Sequence, residues 1–225
     1  MDLSKIEYLG IDRVLRRGTG EVLQEGDDYL LVWDRLSDSY HLACDDPKRC
    51  LDLLDRHAPA DIDLLMVSDL RCAEVVYDKY RFQHKLDCYQ VAYLGAMPAL
   101  NTTLDVRPAT QQDLPLITRH YDLLGEPELR RLVERQTLLM GFCQGEPVGF
   151  VGEHLEGSMG LLYVFPPHRR KGYAAQLETI YITKTMLQGY IPFGQVEVGN
   201  AASIRLQQKL GLTISSTPIC WMWKD

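Results

Sequence analysis

Residues 161–174 combine residue types and spacing that suit the binding of a phosphorylated ligand. The segment reads Leu-Leu-Tyr-Val-Phe-Pro-Pro-His-Arg-Arg-Lys-Gly-Tyr-Ala, which predicts a strand that ends at a double proline, a basic turn and a helix start. Backbone N–H groups and the positive end of the helix dipole meet at such a turn. Gly172 lacks the Cβ that would keep a pyrophosphate from the backbone, and Arg169, Arg170 and Lys171 add positive charge. The segment therefore predicts an anion site.

The same segment resembles the signature of the GNAT superfamily of acyl-CoA-dependent N-acyltransferases. That signature is a strand ending in V-x-P, followed by Arg or Gln, two residues, Gly, one residue, and Gly or Ala. Here it reads Val164-x-Pro166 and then Arg169-x-x-Gly172-x-Ala174. Residues 106–114 resemble the family's first strand and helix, and residues 200–211 resemble its last helix, so the resemblance covers about residues 105–225.

The resemblance implies an α+β fold with a central mixed, mainly antiparallel sheet flanked by helices. In this family the sheet splays between its fourth and fifth strands, and the pantetheine arm of CoA lies in the gap. The residues that the resemblance assigns to acetyl-CoA are Leu162, Tyr163 and Val164, whose backbone would pair with the pantetheine amides; Arg169, Arg170, Lys171, Gly172, Tyr173 and Ala174, which would hold the pyrophosphate; and Asn200 and Ser203, which would flank the arm.

The sequence departs from the family pattern at two catalytic positions. Many members place a Tyr early in the last helix as general acid for the departing thiolate, but Gln207 stands at the corresponding position. Other members carry a general base on the fourth strand, whereas residues 158–161 hold no carboxylate. His154 and Glu156 lie in the turn that leads into this strand, and we expect one of them to be the base.

The resemblance also predicts a division of the chain into two domains. Residues 95–103 have no hydrophobic periodicity and predict a linker. Residues 104–225 form the expected GNAT domain. Residues 1–97 are expected to form a smaller α/β domain that resembles a degenerate GNAT copy, as in two-domain members of the glycine acyltransferase type. Residues 44–49, where a pyrophosphate turn would fall, contain no glycine, so the site is expected in the second domain alone.

Composition excludes several other classes of protein. The 225 residues are 46% hydrophobic and 24% charged, as in ordinary globular proteins, and the net charge of -7 argues against a general nucleic-acid surface. We find no apolar run of bilayer length and no signal-peptide pattern at Met1–Lys5, so we expect a cytoplasmic protein without membrane partners. The six cysteines show no CxxC spacing, so we expect reduced thiols and no metal.

The function that the resemblance implies is an N-acetyltransferase that transfers the acetyl group of acetyl-CoA to a primary amine of a small molecule. The amine would attack the thioester directly. Two alternatives remain open: a non-catalytic acyl-CoA-binding or sensor protein, and a protein or peptide N-acetyltransferase. The sequence leaves the acceptor, the acyl chain length and the oligomeric state, monomer or homodimer, undetermined.

Overall fold

The computed structural model describes residues 1–121 and 123–225, which form two compact units. Unit 1 contains Met1–Ala92 and Phe193–Asp225, and unit 2 contains Tyr93–Pro192. The helices are α1 (Leu9–Arg16), α2 (Pro47–His57), α3 (Leu70–Tyr80), α4 (Leu114–His120), α5 (Glu126–Glu134), α6 (Tyr173–Leu187) and α7 (Ala201–Lys209), with 3₁₀ turns at Ile6–Tyr8 and Pro166–His168. The strands are β1 (Gly20–Glu25), β2 (Leu30–Asp34), β3 (Ser39–Ala43), β4 (Leu64–Val67), β5 (His84–Ala92), β6 (Asp105–Pro108), β7 (Leu138–Cys143), β8 (Glu146–Glu153), β9 (Met159–Val164), β10 (Phe193–Glu197) and β11 (Thr213–Trp223).

Unit 1 is built on strands in the order β1-β2-β3-β4-β11-β5-β10. Side chains along each strand alternate between two cores, because successive residues of a strand face opposite sides of the sheet. In β4, Leu65 and Val67 join the core that includes residues of α2 and α3, while Met66 joins the core that includes residues of α1. Both faces of this sheet are thus covered.

One strand pair in unit 1 is parallel. β3 pairs with β4 in the register Tyr40↔Leu65 and Leu42↔Val67, and the crossover between them is α2. Parallel pairing aligns the carboxyl ends of both strands at one edge of the sheet. The turns into α2 and α3 therefore lie next to each other.

Unit 2 contains an antiparallel meander. β7 pairs with β8 and β8 pairs with β9, while β6 adds to the outer side of β7. Helices α4 and α5 contribute Ile117 and Leu129 to the core beneath these strands, together with Phe150 of β8. Within the two units every strand pair other than β3–β4 is antiparallel, so the predicted α+β class with a mainly antiparallel sheet is confirmed.

Helix α6 is held close against the strands of unit 2. A Cβ added at Gly141 of β7 would lie 2.7 Å from a methyl group of Leu177, so the glycine permits this close approach. One turn further along α6, the Tyr181 hydroxyl donates a hydrogen bond of 2.8 Å to the Thr137 carbonyl. These contacts fix the position of α6 and, with it, the place where its N-terminus lies.

The two units do not follow the domain boundaries that the resemblance predicts. Residues 193–225 group with the N-terminal residues because β11 pairs with β4 and β5, and β10 pairs with β5. The predicted domains, 1–97 and 104–225, stay a prediction about the organisation of the chain. None of the helices formed by residues 1–121 and 123–225 is long and apolar enough to cross a membrane.

We predict that Gly149→Ala destabilises the protein by about 1–3 kcal/mol, since overpacking against backbone forces strands apart. The added Cβ would lie 2.3 Å from the Tyr163 carbonyl oxygen, where β8 meets β9. Gly199→Ala is the matched control, because no heavy atom lies within 4 Å of its added Cβ, and it should change stability by less than about 0.5 kcal/mol. Urea unfolding measures both, and equal midpoints for the two variants would contradict the tight β8–β9 approach.

Candidate functional site

The predicted anion-binding turn has the backbone that such a site requires. Arg170 and Gly172 both adopt left-handed φ angles, 62° and 82°, and Gly172 occupies the N-cap position of α6. A Cβ built on Gly172 meets no heavy atom within 4 Å, so the space in front of this backbone is open. No side chain among the described residues caps the helix, which leaves the amides of its first turn available to a ligand.

Helices α2, α3 and α7 begin with a capping side chain, whereas α1, α4 and α5, like α6, have none among the described residues. The Asp46 carboxylate accepts hydrogen bonds from the amides of the first turn of α2, and Asp69 does the same for α3. At α7 the Asn200 side chain accepts from the Ser203 amide at 3.0 Å. A capped N-terminus has already used the donors that a phosphate needs. Residues 169–174 therefore combine an uncapped helix with a basic turn.

The three basic side chains of the turn do not share one role. Arg169 folds back onto β9: its Nε donates to the Val164 carbonyl at 3.0 Å, and one of its terminal nitrogens donates to the Tyr163 hydroxyl at 3.0 Å. Its guanidinium also lies 5.2 Å from the centre of the Tyr163 ring. All three side chains are exposed, and Arg170 and Lys171 have no hydrogen bond or ion pair within residues 1–121 and 123–225. We conclude that Arg169 fixes the turn to the strand, while the side chains of Arg170 and Lys171 are not bonded to another element in the described part of the chain.

The first residue of the helix is anchored as well. The Tyr173 hydroxyl donates a hydrogen bond to Cys143 Sγ at 3.3 Å, at the end of β7. Ala174 follows in the half-buried first turn. A cleft of about 140 Å³ adjoins this turn, lined by Ala99, Leu100, Asn101, Thr102, Ala175, Gln176 and Thr179. The start of α6 therefore presents both the open turn and an adjacent cleft.

The predicted cofactor strand, β9, contains a bulge. Tyr163 pairs with Phe150 and Gly160 pairs with Gly152, so Leu161 and Leu162 together face Val151. Leu161 adopts a φ of 50°, which is uncommon for a branched non-glycine residue. A bulge disrupts the ladder locally and turns backbone groups away from the neighbouring strand. The predicted pantetheine residue Leu162 thus lies where β9 is not in regular register with β8.

The side chain of Tyr163 faces an aromatic cluster. Its ring stacks on Phe150 at 5.6 Å and on His120, at the end of α4, at 5.8 Å. Phe165 also contacts His120, at 5.0 Å between ring centres. The Tyr163 ring is packed within this cluster. A ligand would therefore contact the backbone of Tyr163, as the resemblance implies. His120 carries no sequence signal that would have identified it.

The two predicted bases lie in a tight turn that is largely buried. The His154 amide donates to the Ser158 carbonyl at 2.9 Å, and the Gly157 amide donates to the His154 carbonyl at 2.9 Å. Glu156 is only 8% exposed, and its carboxylate accepts a hydrogen bond from the fully buried hydroxyl of Ser158. These contacts are not those of a solvated surface turn, so the segment is built to hold a carboxylate inside the protein.

The imidazole of His154 lies against β9. A Cβ at Gly160 would lie 2.5 Å from His154 Nε2, so only a glycine leaves room for the ring. Gly160 directly precedes the bulged residue Leu161. The structure thus brings His154 next to the bulge, while Glu156 and Ser158 form a hydrogen-bonded pair at the start of the same strand.

Sequence reasoning missed a third ionisable group near this turn, Glu128 of α5. Burial raises the pKa of Glu128 above its ordinary value of 4.5; the charge of His154 acts against this shift and that of Glu156 adds to it. Arg131 also acts against the shift. Glu128 therefore lies close enough to both predicted bases to interact with them electrostatically. In the sequence it is indistinguishable from an acidic residue that stabilises the first turn of a helix.

The remaining predicted cofactor residues lie in unit 1. Asn200 is the N-cap of α7, and its side chain accepts a hydrogen bond from the Ser203 amide. Gln207, further along this helix, is 4% exposed, and its Oε1 has no hydrogen-bond partner among the described residues. The amide of Gln207 can donate a hydrogen bond but cannot release a proton. The position at which the resemblance implies a general acid thus holds a buried, non-ionisable group.

We predict that Gly172→Val abolishes stabilisation by CoA. In the unmodified protein CoA at 100 times its dissociation constant should stabilise by about 2.7 kcal/mol, which raises the melting midpoint by about 5–10 °C. The valine side chain would occupy the open approach to the α6 amides. A thermal shift assay with and without CoA measures the effect.

Gly189→Val is the matched control for this change. Gly189 lies just beyond the C-terminal end of the same helix, has a φ of 81° and is equally open, so valine suffers the same backbone strain there. This control should lower the midpoint of the free protein but keep the full shift with CoA. An unchanged shift in Gly172→Val would show that the turn does not bind the pyrophosphate.

We predict that Glu128→Gln raises the free energy of unfolding at neutral pH. Because the folded pKa of Glu128 is raised, the folded protein binds this proton more tightly than the unfolded chain does. Stability associated with the group is therefore fully present below the unfolded pKa and is lost as pH rises through the folded pKa. Glutamine does not ionise, so the variant does not lose this stability at neutral pH.

Urea midpoints at pH 7 and pH 3.5 test the prediction for Glu128. The gain from Glu128→Gln should be present at pH 7 and largely absent at pH 3.5. Glu134→Gln, at an exposed position on the same helix, should show no such difference. A gain that does not depend on pH would show that the surroundings of Glu128 do not disfavour its charged form.

Comparison with known proteins shows which solved structures share this fold. Residues 139–222 match the family of FR47-like proteins. A search of curated proteins finds no match to the chain. Among solved structures the chain is similar to a Drosophila protein, with 13% identity, 97% of this chain and 90% of that chain covered, and a TM-score of 0.72.

Two further solved structures are named acetyltransferases. A GCN5-related N-acetyltransferase from Kribbella flavida is 12% identical, with 97% of this chain and 94% of that chain covered and a TM-score of 0.59. An acetyltransferase of the GNAT family from Colwellia psychrerythraea is 12% identical, with 100% and 98% covered and a TM-score of 0.55. At such identities the likeness establishes the fold. The chain therefore shares the fold of these acetyltransferases, and its residues 139–222 match the FR47-like family.

Proposed function

We propose that the protein is an acetyl-CoA-dependent N-acetyltransferase that acetylates a primary amine of a small molecule. One observation carries the proposal: the uncapped N-terminus of α6, behind the open, left-handed Gly172, directly follows the bulged strand β9. The likeness in fold to solved GNAT acetyltransferases and the FR47-like match over residues 139–222 support it. The amides of the turn would bind the pyrophosphate of CoA. Backbone groups left unpaired by the bulge of β9 would bind its pantetheine arm.

The residues present suit acetyl-CoA. The amides at the start of α6, with Arg170 and Lys171, would hold the pyrophosphate. The role that the resemblance gives to Asn200 and Ser203 stays a prediction. Acetyl-CoA supplies the activated acetyl group as a thioester. The chain itself would contribute orientation, which can be worth about 7–11 kcal/mol when two reactants are held in line. A backbone N–H near the Leu161–Leu162 bulge would polarise the thioester carbonyl.

Deprotonation of the amine is assigned to the turn before β9. A primary ammonium has a pKa near that of lysine, about 10.4, so it is almost wholly protonated at neutral pH. His154 lies against Gly160, next to the bulge, and Glu156 is held by Ser158 at the start of the same strand. Either group can take the proton directly or through a water molecule. Because Gln207 cannot serve as an acid, we propose that the thiol leaves as the thiolate.

Binding and turnover measured in parallel test the proposal. Acetyl-CoA with separate polyamines, amino acids, arylalkylamines and short peptides is assayed for release of the CoA thiol, and binding is measured by thermal shift. Turnover with a small amine supports the proposal. Turnover with peptides alone would instead favour a peptide acetyltransferase. Binding without any turnover would favour the sensor alternative, with which the replacement of the expected acid by Gln207 agrees. No binding would refute all three functions.

We predict that Glu156→Gln and His154→Asn, made separately, identify the base by their dependence on pH. Loss of a general base should lower kcat about 10²- to 10⁴-fold at pH 7, and less as pH rises and free amine accumulates. Binding of acetyl-CoA should not change. Glu146→Gln, at the exposed turn between β7 and β8, is the control and should keep full activity. Full activity of both variants at every pH would exclude both residues as the base.

A further inference from the structure

Unit 1 contains a polar cleft that the proposed acetyl transfer does not use. Its volume is about 350 Å³, which is within the range of small-molecule sites. It is lined by Lys5, Glu7, Tyr8, Cys44, Asp45, Ser68, Asp69, Ser216 and Thr217.

The cleft lies where ligand sites commonly form in sheets with parallel strands. Residues 44–45 directly follow β3, and residues 68–69 directly follow β4, so the cleft is at the carboxyl ends of the parallel pair. Ligands bind at this edge in open α/β sheets, because the chain leaves neighbouring strands there and opens a crevice. Residues 5–8 and residues 216–217, at an irregular part of β11, complete the walls.

The two helices that start at this edge offer no site for an anion. The Asp46 carboxylate accepts from the Lys48 and Arg49 amides, and the Asp69 carboxylate accepts from the Arg71 and Cys72 amides. Both helix starts therefore carry negative charge and have used their first-turn donors, in contrast to α6.

The lining of the cleft is acidic. Asp69 is paired with Arg71 at 2.9 Å, and Arg71 also donates to the Asp45 carbonyl at 3.1 Å. The carboxylates of Glu7 and Asp45 have no ion-pair partner within residues 1–121 and 123–225, while Lys5 is exposed. Burial raises the pKa of the nearby Tyr8 phenol, and the charges of Glu7, Asp45 and Asp69 raise it further. The cleft therefore has an excess of negative charge.

An independent observation indicates a ligand. Ser68 is only 9% exposed, and its side chain lines the cleft, yet its hydroxyl has no hydrogen-bond partner in the described part of the chain. Buried hydroxyls are normally bonded, because a lost hydrogen bond costs free energy. The hydroxyl of Tyr8 is likewise without a partner among the described residues. Two hydroxyls without a partner among the described residues thus line the same acidic cleft.

We propose that this cleft is a binding site for a small organic cation that carries one or two primary ammonium groups. The Glu7 and Asp45 carboxylates accept charge-assisted hydrogen bonds from the ammonium, and the Ser68 hydroxyl oxygen accepts a further one. An ammonium group has three donors, which matches this set of oxygen atoms. The inference goes beyond the proposed acetyl transfer and does not depend on it, since none of the residues involved is assigned to acetyl-CoA or to the base.

Isothermal titration of the full-length protein with 1,4-diaminobutane tests the site. We expect binding of the diamine, and no binding of 1,4-butanediol, which has a similar length but no charge. Asp45→Asn and Ser68→Ala should each weaken diamine binding, Asp45→Asn by about ten-fold, as expected for one charge-assisted bond. Asp52→Asn, at an exposed position on α2, removes the same charge away from the cleft and should leave binding unchanged.

The diamine could also bind as an acceptor at the proposed catalytic site, so Glu156→Gln is titrated in the absence of acetyl-CoA. Loss of binding in Asp45→Asn but not in Glu156→Gln assigns the cation to the cleft. Loss in Glu156→Gln alone would overturn the assignment and leave the acetyltransferase proposal intact. Absence of diamine binding, equal binding of the diol, or equal weakening in Asp52→Asn would each refute the cation site.

Discussion

The left-handed backbone at Gly172 is the constraint on which the candidate site depends. It turns the chain from the basic segment into α6 without placing a side chain over the first amides of the helix. Its effect requires that α6 be held firmly, which the Leu177 contact at Gly141 and the Tyr181 hydrogen bond to Thr137 achieve. Arg169 then fixes the turn to β9. A bound pyrophosphate and the bulge of β9 would thereby be held in a defined relation within unit 2.

Three strand-to-helix connections in this chain show how one N-cap residue changes the chemistry of a site. At β3–α2 and β4–α3 an aspartate satisfies the first-turn amides and introduces negative charge. At β9–α6 a glycine leaves those amides free, and basic residues precede it. The same type of connection therefore favours a cation in one unit and an anion in the other, because the carboxylate both competes for the donors and repels phosphate.

The turn between β8 and β9 places ionisable groups in a costly environment. Glu156 and Ser158 are buried and bonded to each other, and Glu128 lies near enough for its pKa to be raised by burial and by Glu156. Proteins rarely bury carboxylates without a partner, since desolvation favours the neutral form. The Ser158 hydroxyl supplies such a partner for Glu156.

The sequence alone determined the local features of this protein. These features are the basic turn marked by V-x-P and RxxGxA, the meander over residues 138–165 and the Asn200 cap. They follow from turn chemistry and hydrophobic alternation, which act over a few residues. Only the tertiary structure decided which distant groups meet. Glu128 approaches His154 and Glu156 because α5 packs under the β8–β9 turn, and β11 joins β4 and β5 rather than the strands of unit 2. Ser68 faces Glu7 and Asp45 in one cleft for the same reason. Long-range packing sets these contacts, since burial depends on which faces fit together and leaves no periodic trace in the chain.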